Sequence, residues 1–163
     1  MQIKNIKASF IFSEDLIEGK QTREIFTSKR KEVVLTIYKH TPKLLNITGI
    51  KSFEHLTLIK EEMEMKFNNS ISETRIDNIF LSKKKHMNID LNRIFEHLKG
   101  HDKFDVTYVP ELFPGMHLKP KDKTFPTIAL FRTGSVTMMG SKSVDAICES
   151  EMFLNSLIKR FEK

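Results

Sequence analysis

Cysteine is nearly missing from this chain: of 163 residues, only Cys148 is one. A single thiol excludes a disulfide framework and a cysteine-based zinc site, and it fits a reducing compartment. Long apolar runs are missing as well. None approaches the length of a bilayer span, and the opening MQIKNIKASFIF lacks the charge-then-apolar order of a secretory leader. A soluble intracellular protein with no membrane partner is expected. The chain has no Gly-rich phosphate loop, no Ser–His–Asp set and no arguable pair of catalytic carboxylates. His97 and His101 have the spacing that can seat a metal on a helix, but Gly100 lies between them and no carboxylate or cysteine pattern completes a site. No enzymatic activity, small-molecule substrate, metal or cofactor is expected.

What is present is enough apolar material for a real core, 39% of residues with 13 phenylalanines. There is also a basic balance: 27 Lys and Arg against 21 Asp and Glu, a net charge of +6. That charge suits a polyanion, chiefly nucleic acid. Ile3–Phe12, Glu32–His40 and Leu44–Gly49 are rich in strand formers. Over Ser52–Phe67 the period changes, with Leu56, Ile59, Met63 and Phe67 at helical spacing. The second half repeats the order. Thr74–Ser82 reads as a strand, MNIDLNRIFEHLKG as a helix, TFPTIALF and SVTMMG as strands joined by a turn, and SVDAICESEMFLNSLIKRF as a closing helix.

The repetition reaches single residues. ITGIKSFEHL (Ile47–Leu56) answers MMGSKSVDAI (Met138–Ile147), each with G-x-K-S at a strand-to-helix junction. IKNI (Ile3–Ile6) answers IDNI (Ile76–Ile79), and EIF (Glu24–Phe26) answers ELF (Glu111–Phe113). Such internal repeats predict a symmetric architecture, with residues 1–72 as a shortened first repeat, 73–163 as the second, and the two together as one domain. Alternation along the strands predicts two different faces. Leu35, Ile37, Leu45, Ile47, Ile128, Leu130, Val136 and Met138 form an aliphatic face, as a core needs. Thr36, Tyr38, Asn46, Thr48, Thr127, Ala129, Phe131, Thr137 and Met139 share the other.

Two of only five prolines fall within YVPELFPG, Tyr108 to Gly115. They disfavour helix and central strand, so Phe113 stands in a turn with no periodic surroundings to make a core face. It is either a packing residue or an apolar wedge for something outside the protein.

Strand, helix, hairpin strands and closing helix, given twice, with YVPELFPGM and TGIKS, resemble the TATA-box-binding protein (TBP) family. LFRTGSVTMMGSK is similar to another motif of that family. The resemblance is strong over residues 104–162 and weak over 13–46. It implies an α+β fold: a TBP-like saddle in which a pseudo-two-fold repeat forms a curved antiparallel sheet, with helices on its convex face. It implies a transcription initiation factor that binds and bends AT-rich double-stranded promoter DNA through the minor groove, and that recruits a TFIIB-like initiation factor and RNA polymerase. The alternative is a TBP-like protein-interaction module with weak or no DNA binding.

Residue by residue, the resemblance makes Phe113 and Phe131 the second repeat's intercalating pair and Phe26 the first repeat's counterpart of Phe113. The counterpart of Phe131 is Tyr38 or His40. Asn5 and Asn78 match the central asparagines that meet base edges. Asn46, Thr48, Thr137 and Met139 join the DNA-facing set, and Lys51 and Lys142 are candidate phosphate contacts. Val109, Glu111 and Leu112 are the expected partner-binding residues of the PELFPG turn. Lys7 stands where the family has a valine, and it either reaches a phosphate or excludes a base contact. SEDLIEGKQTRE replaces a full helix, and the hairpin at TSKRKE reads as curtailed. The nucleus is the expected location, or a cytoplasmic virus factory or virion for a viral protein.

Overall fold

The computed structural model describes residues 1–123 and 125–162. It divides into two compact units, Ile3–Asn78 and a second made of Met1–Gln2 with Ile79–Lys163. The division falls inside one strand, between Asn78 and Ile79.

In the first unit, β1 (Gln2–Phe12), β2 (Thr22–Ser28), β3 (Lys31–Ile37) and β4 (Leu44–Ile50) precede α1 (Phe53–Phe67), and the chain then enters β5 (Ile71–Lys83). The strands lie in the order β2-β3-β4-β1-β5, and the β2–β3, β3–β4 and β1–β4 ladders are antiparallel. Alternation decides the faces. Val33, Leu35, Ile37, Leu45 and Ile47 are buried with Ala8, Phe10 and Phe12 of β1 against Leu56, Ile59 and Met63 of α1. Thr36, Asn46 and Thr48 point to the opposite, open side.

The second unit takes the remainder of β5, then α2 (Leu91–Leu98), β6 (Phe104–Thr107), β7 (Gly115–Pro120), β8 (Thr127–Phe131), β9 (Val136–Ser141) and α3 (Val144–Phe161). Its strands run β5-β9-β8-β7-β6, antiparallel in the β5–β9, β9–β8, β8–β7 and β7–β6 ladders. Met116, Leu118, Ile128, Leu130 and Met138 are buried beneath α2 and α3, which contribute Ile94, Leu98, Leu154 and Ile158. The paired histidines stand beside aromatic rings, His97 exposed and His101 half-buried. His97 lies 5.3 Å from the Phe161 ring, and His101 lies 5.6 Å from the Phe104 ring.

The repeated G-x-K-S stretch is one local structure used twice. Gly49 and Gly140 both take positive φ, 101° and 85°, a region that glycine enters without steric cost. The serines that follow, Ser52 and Ser143, cap α1 and α3, accepting backbone N–H bonds from His55 at 3.0 Å and Ala146 at 3.1 Å. The glycines differ in surroundings. A Cβ on Gly49 would stand 2.9 Å from the Glu32 carbonyl oxygen, whereas one on Gly140 would meet nothing within 4 Å.

One expectation needs correction. β3 ends at Ile37 rather than His40, because Thr41, held by Pro42 on its far side, donates to the Tyr38 carbonyl and turns the chain. The TSKRKE hairpin closes through the shortest kind of connection. β2 and β3 pair over seven positions from Thr22↔Ile37 to Ser28↔Lys31 around a two-residue turn, Lys29–Arg30, with both residues at positive φ.

Beside that turn, His55 of α1 is buried. Its Nδ1 accepts from the Lys51 backbone N–H at 3.3 Å, and its Nε2 is buried with no hydrogen-bond partner among the described residues. Burial first, then the Lys31 charge, holds its pKa below the ordinary 6.5, with Glu62 pulling the other way. The fold therefore keeps the ring neutral, and protonation opposes folding. This share of stability is complete above pH 6.5 and is lost as pH falls below it. Thermal melting across that range should show a decline that the non-titrating variant His55→Gln flattens. Equal slopes in both proteins would remove His55 as the cause.

Candidate nucleic-acid interface

Each unit leaves one sheet face bare of helices. In the second unit the PELFPG turn sits at one end of that face. Leu112 and Phe113 donate their N–H groups to the Val109 carbonyl at 3.0 and 3.1 Å, closing a tight turn over Pro110. The turn throws Leu112 outward, 85% exposed, with Val109 and Glu111 also exposed. It folds Phe113 back only partly. That ring, 38% exposed, lies 4.6 Å from His117 and 5.7 Å from Phe131, edge-on to the latter.

Gly115 makes the ring pair possible. Its strand partner is Phe131, and a Cβ there would stand 2.7 Å from the Phe113 ring and 3.0 Å from the Phe131 ring. Across the same face run His117, Ala129 and Thr137, paired strand to strand, and Thr127 beside Met139. The result is a floor of small and polar groups with two adjacent aromatic rings at its edge. Lys142 is exposed at the β9-to-α3 junction.

In the first unit, Asn5 lies against the β4 end. Its Oδ1 accepts the Gly49 N–H at 2.7 Å, and its Nδ2 donates to Thr48 Oγ1 at 3.2 Å. The Gly49 bond settles which side of the amide is oxygen and leaves Nδ2 one further hydrogen to give. The Asn46 Nδ2 donates to the Thr36 carbonyl at 3.4 Å, and the Ser9 hydroxyl sits between Asn46 and the Asp77 carboxylate. Lys51 Nζ donates to the Lys4 carbonyl at 3.0 Å. Asn78 is half-buried on β5. Tyr38 follows β3 directly, 47% exposed, whereas His40 stands two residues on in the turn.

Phe26 does not join this set. Its strand partner is Val33, which is buried in the core, and directly opposed residues share a face. The Lys66 ammonium of α1 lies 5.8 Å from its ring centroid, while neighbouring Ser28 donates to Glu62 and Glu24 pairs with Lys66. The expected likeness of Phe26 to Phe113 is therefore corrected: Phe26 faces the helix. Its neighbour Ile25, opposite Val34 and 68% exposed, points to the open side, as does Arg23 opposite Thr36. Sequence reading missed both Ile25 and Arg23, because the Lys29–Arg30 turn carries no Asn-Gly or Asp-Gly signal that would set Phe26 against Val33.

Among the described residues, no cluster of three or more His, Cys, Asp or Glu could hold a metal ion, and no helix is long and apolar enough to cross a membrane.

Comparison with known proteins bears on the family and the fold. Residues 73–161, more than half of the chain, match the family described as "Transcription factor TFIID (or TATA-binding protein, TBP)". The chain is 38% identical over 71 residues to the TATA-box-binding protein of Archaeoglobus fulgidus, a match that takes in 44% of this chain and 36% of that relative. The fold is similar to that of Methanococcus jannaschii TBP, with a TM-score of 0.68 and 20% identity over 98% of both chains. With an antiparallel α+β fold in two repeated units and this match over its second half, the chain belongs to the TATA-binding protein family.

Proposed function

We propose that this TBP-like transcription factor binds AT-rich promoter DNA through the minor groove and bends it, acting at initiation with a TFIIB-like factor and RNA polymerase. The observation that carries the reading is the half-exposed Phe113–Phe131 pair, set on the open face by Gly115. A minor groove offers few donors and acceptors, so it is read largely by shape and by A·T against G·C. Apolar wedges unstack base steps there, TATA-binding proteins being a type case, and pyrimidine–purine steps yield most easily. Asn5 supports the same reading, since the groove floor presents acceptors and its spare amide hydrogen is a donor. The exposed Val109, Glu111 and Leu112 turn is the proposed seat of the TFIIB-like factor. We place the protein in the nucleus, or in a virus factory or virion if it is viral.

The Asp77 carboxylate beside Ser9 favours the alternative, a protein-interaction module, because an acid at a duplex-facing strand opposes phosphate. A bending-sensitive binding assay on AT-rich and GC-rich duplexes separates the two. Tighter, bent binding of the AT-rich duplex is expected, with affinity falling steeply between about 50 mM and about 200 mM salt. Lys142→Gln should weaken binding on every sequence and reduce the salt slope by about one. Lys142 is preferable to Lys51, whose ammonium also ties down the Lys4 carbonyl. Salt-independent affinity, or no binding, would leave the interaction module.

A further inference from the structure

The two open faces are built from different chemistry. In the second unit, two rings meet over Gly115. In the first, the β2–β3 register puts Tyr38 one step beyond the Thr22↔Ile37 pair, opposite a stretch without a ring, Gly19-Lys20-Gln21. Tyr38 therefore has no partner ring there, and Phe26, the aromatic side chain of β2, faces α1. In place of a ring pair there is a hollow of about 230 Å³ whose lining includes Lys7, Arg23, Tyr38 and Asn46, with the aliphatic Val34 and Ile47 also reaching it. Lys7 and Arg23 are exposed and form no ion pair among the described residues. Asp77 is not part of the hollow's lining and takes the Ser9 hydroxyl.

We infer that the first unit reads its half of the DNA site as a narrow, unkinked A·T minor groove through Arg23 and Lys7, and that kinking is confined to the second unit. This rests on the DNA-binding reading above. Stiff A-tracts have a narrow minor groove whose enhanced negative potential draws in Arg and Lys side chains. Both side chains are pure donors, matched to the acceptors that A·T pairs present there. Tyr38 and Ile25, the exposed apolar side chains of this face, are held apart by the Arg23↔Thr36 pair and make a poorer wedge than two touching rings, whereas two cations flanked by Asn and Thr suit an undistorted groove. The ligand class is thus a duplex with a deformable step at one end and an A-tract at the other.

The test compares three duplexes of equal length: an A-tract with a TA-rich end, TA-rich ends on both sides, and A-tracts on both sides. Affinity by fluorescence anisotropy and bend by energy transfer are read for the wild type, Arg23→Ala, Lys7→Ala and Phe113→Ala. The mixed duplex should bind tightest, and its bend should equal that of the duplex with two TA-rich ends. Arg23→Ala should cost about tenfold in affinity on the mixed duplex, erase its advantage and leave the bend intact. Lys7→Ala should act in the same direction. Arg23 is exposed on an edge strand, so melting should stay unchanged. A larger bend and tighter binding on two TA-rich ends would overturn the inference, as would an Arg23→Ala loss equal on all three duplexes, the mark of a plain phosphate contact. If the wild type binds none of them, the DNA-binding reading falls and this inference with it. If it binds and bends but Arg23→Ala changes nothing, only this inference falls.

Discussion

Replacing Phe113 with alanine is expected to remove a large part of the DNA bend while leaving thermal stability almost intact. The ring rests on His117 and Phe131 rather than in the core, so truncation opens no cavity. It forfeits about 0.5–1.5 kcal/mol of aromatic pairing. The loss on DNA is that of one wedge, on the order of tens of degrees of bend for minor-groove intercalators, with TATA-binding proteins among the type cases. Phe131→Ala should act in the same direction, because each ring positions the other. Energy transfer between duplex ends and melting, measured on the same preparations, separate the two roles. An unchanged bend with a large drop in melting temperature would make PELFPG a packing motif and return the protein to the interaction-module reading.

Phe10→Ala is expected to show the opposite pattern. Phe10 is 0% exposed on β1, where Leu45 of β4 is its strand partner. Truncating a buried phenylalanine costs about 3–5 kcal/mol, transfer and cavity together. That is a large share of the roughly 5–15 kcal/mol that holds a domain folded. Urea unfolding should show a much lower midpoint with an unchanged slope. The protein that remains folded should bend DNA as the wild type does, since Phe10 faces away from the open side. A loss below about 1 kcal/mol would mean that the cavity collapses and that Phe10 is not a keystone of the first unit.

Much of this fold is legible in the residues themselves. Period-two alternation on β3, β4, β8 and β9 separates an aliphatic face from a mixed one. The repeated G-x-K-S marks both strand-to-helix junctions, because glycine alone takes the positive φ without strain and serine is a strong N-cap. Gly115 in PELFPG is different. Its role is space for two rings, and nothing in the local sequence says that Phe131, sixteen positions on, will be the strand partner that closes against it.

The faces of β2 were decided only in three dimensions. Ile25 and Phe26 are adjacent and apolar, and so are Val33 and Val34 across the ladder. Alternation therefore permits either member of each pair to enter the core. A slip of one residue reverses every side chain of a strand, and a hairpin's turn normally prevents it. Here the turn is Lys29–Arg30, not the Asn-Gly or Asp-Gly that signals a two-residue loop in sequence. What settles the register is α1: Glu62 receives Ser28, and Lys66 meets Glu24 and the Phe26 ring. Local sequence determined that β2 has two faces. Packing of a helix some forty residues further along the chain determined which of them is buried, and so left Arg23 and Ile25, rather than a phenylalanine, on the open side.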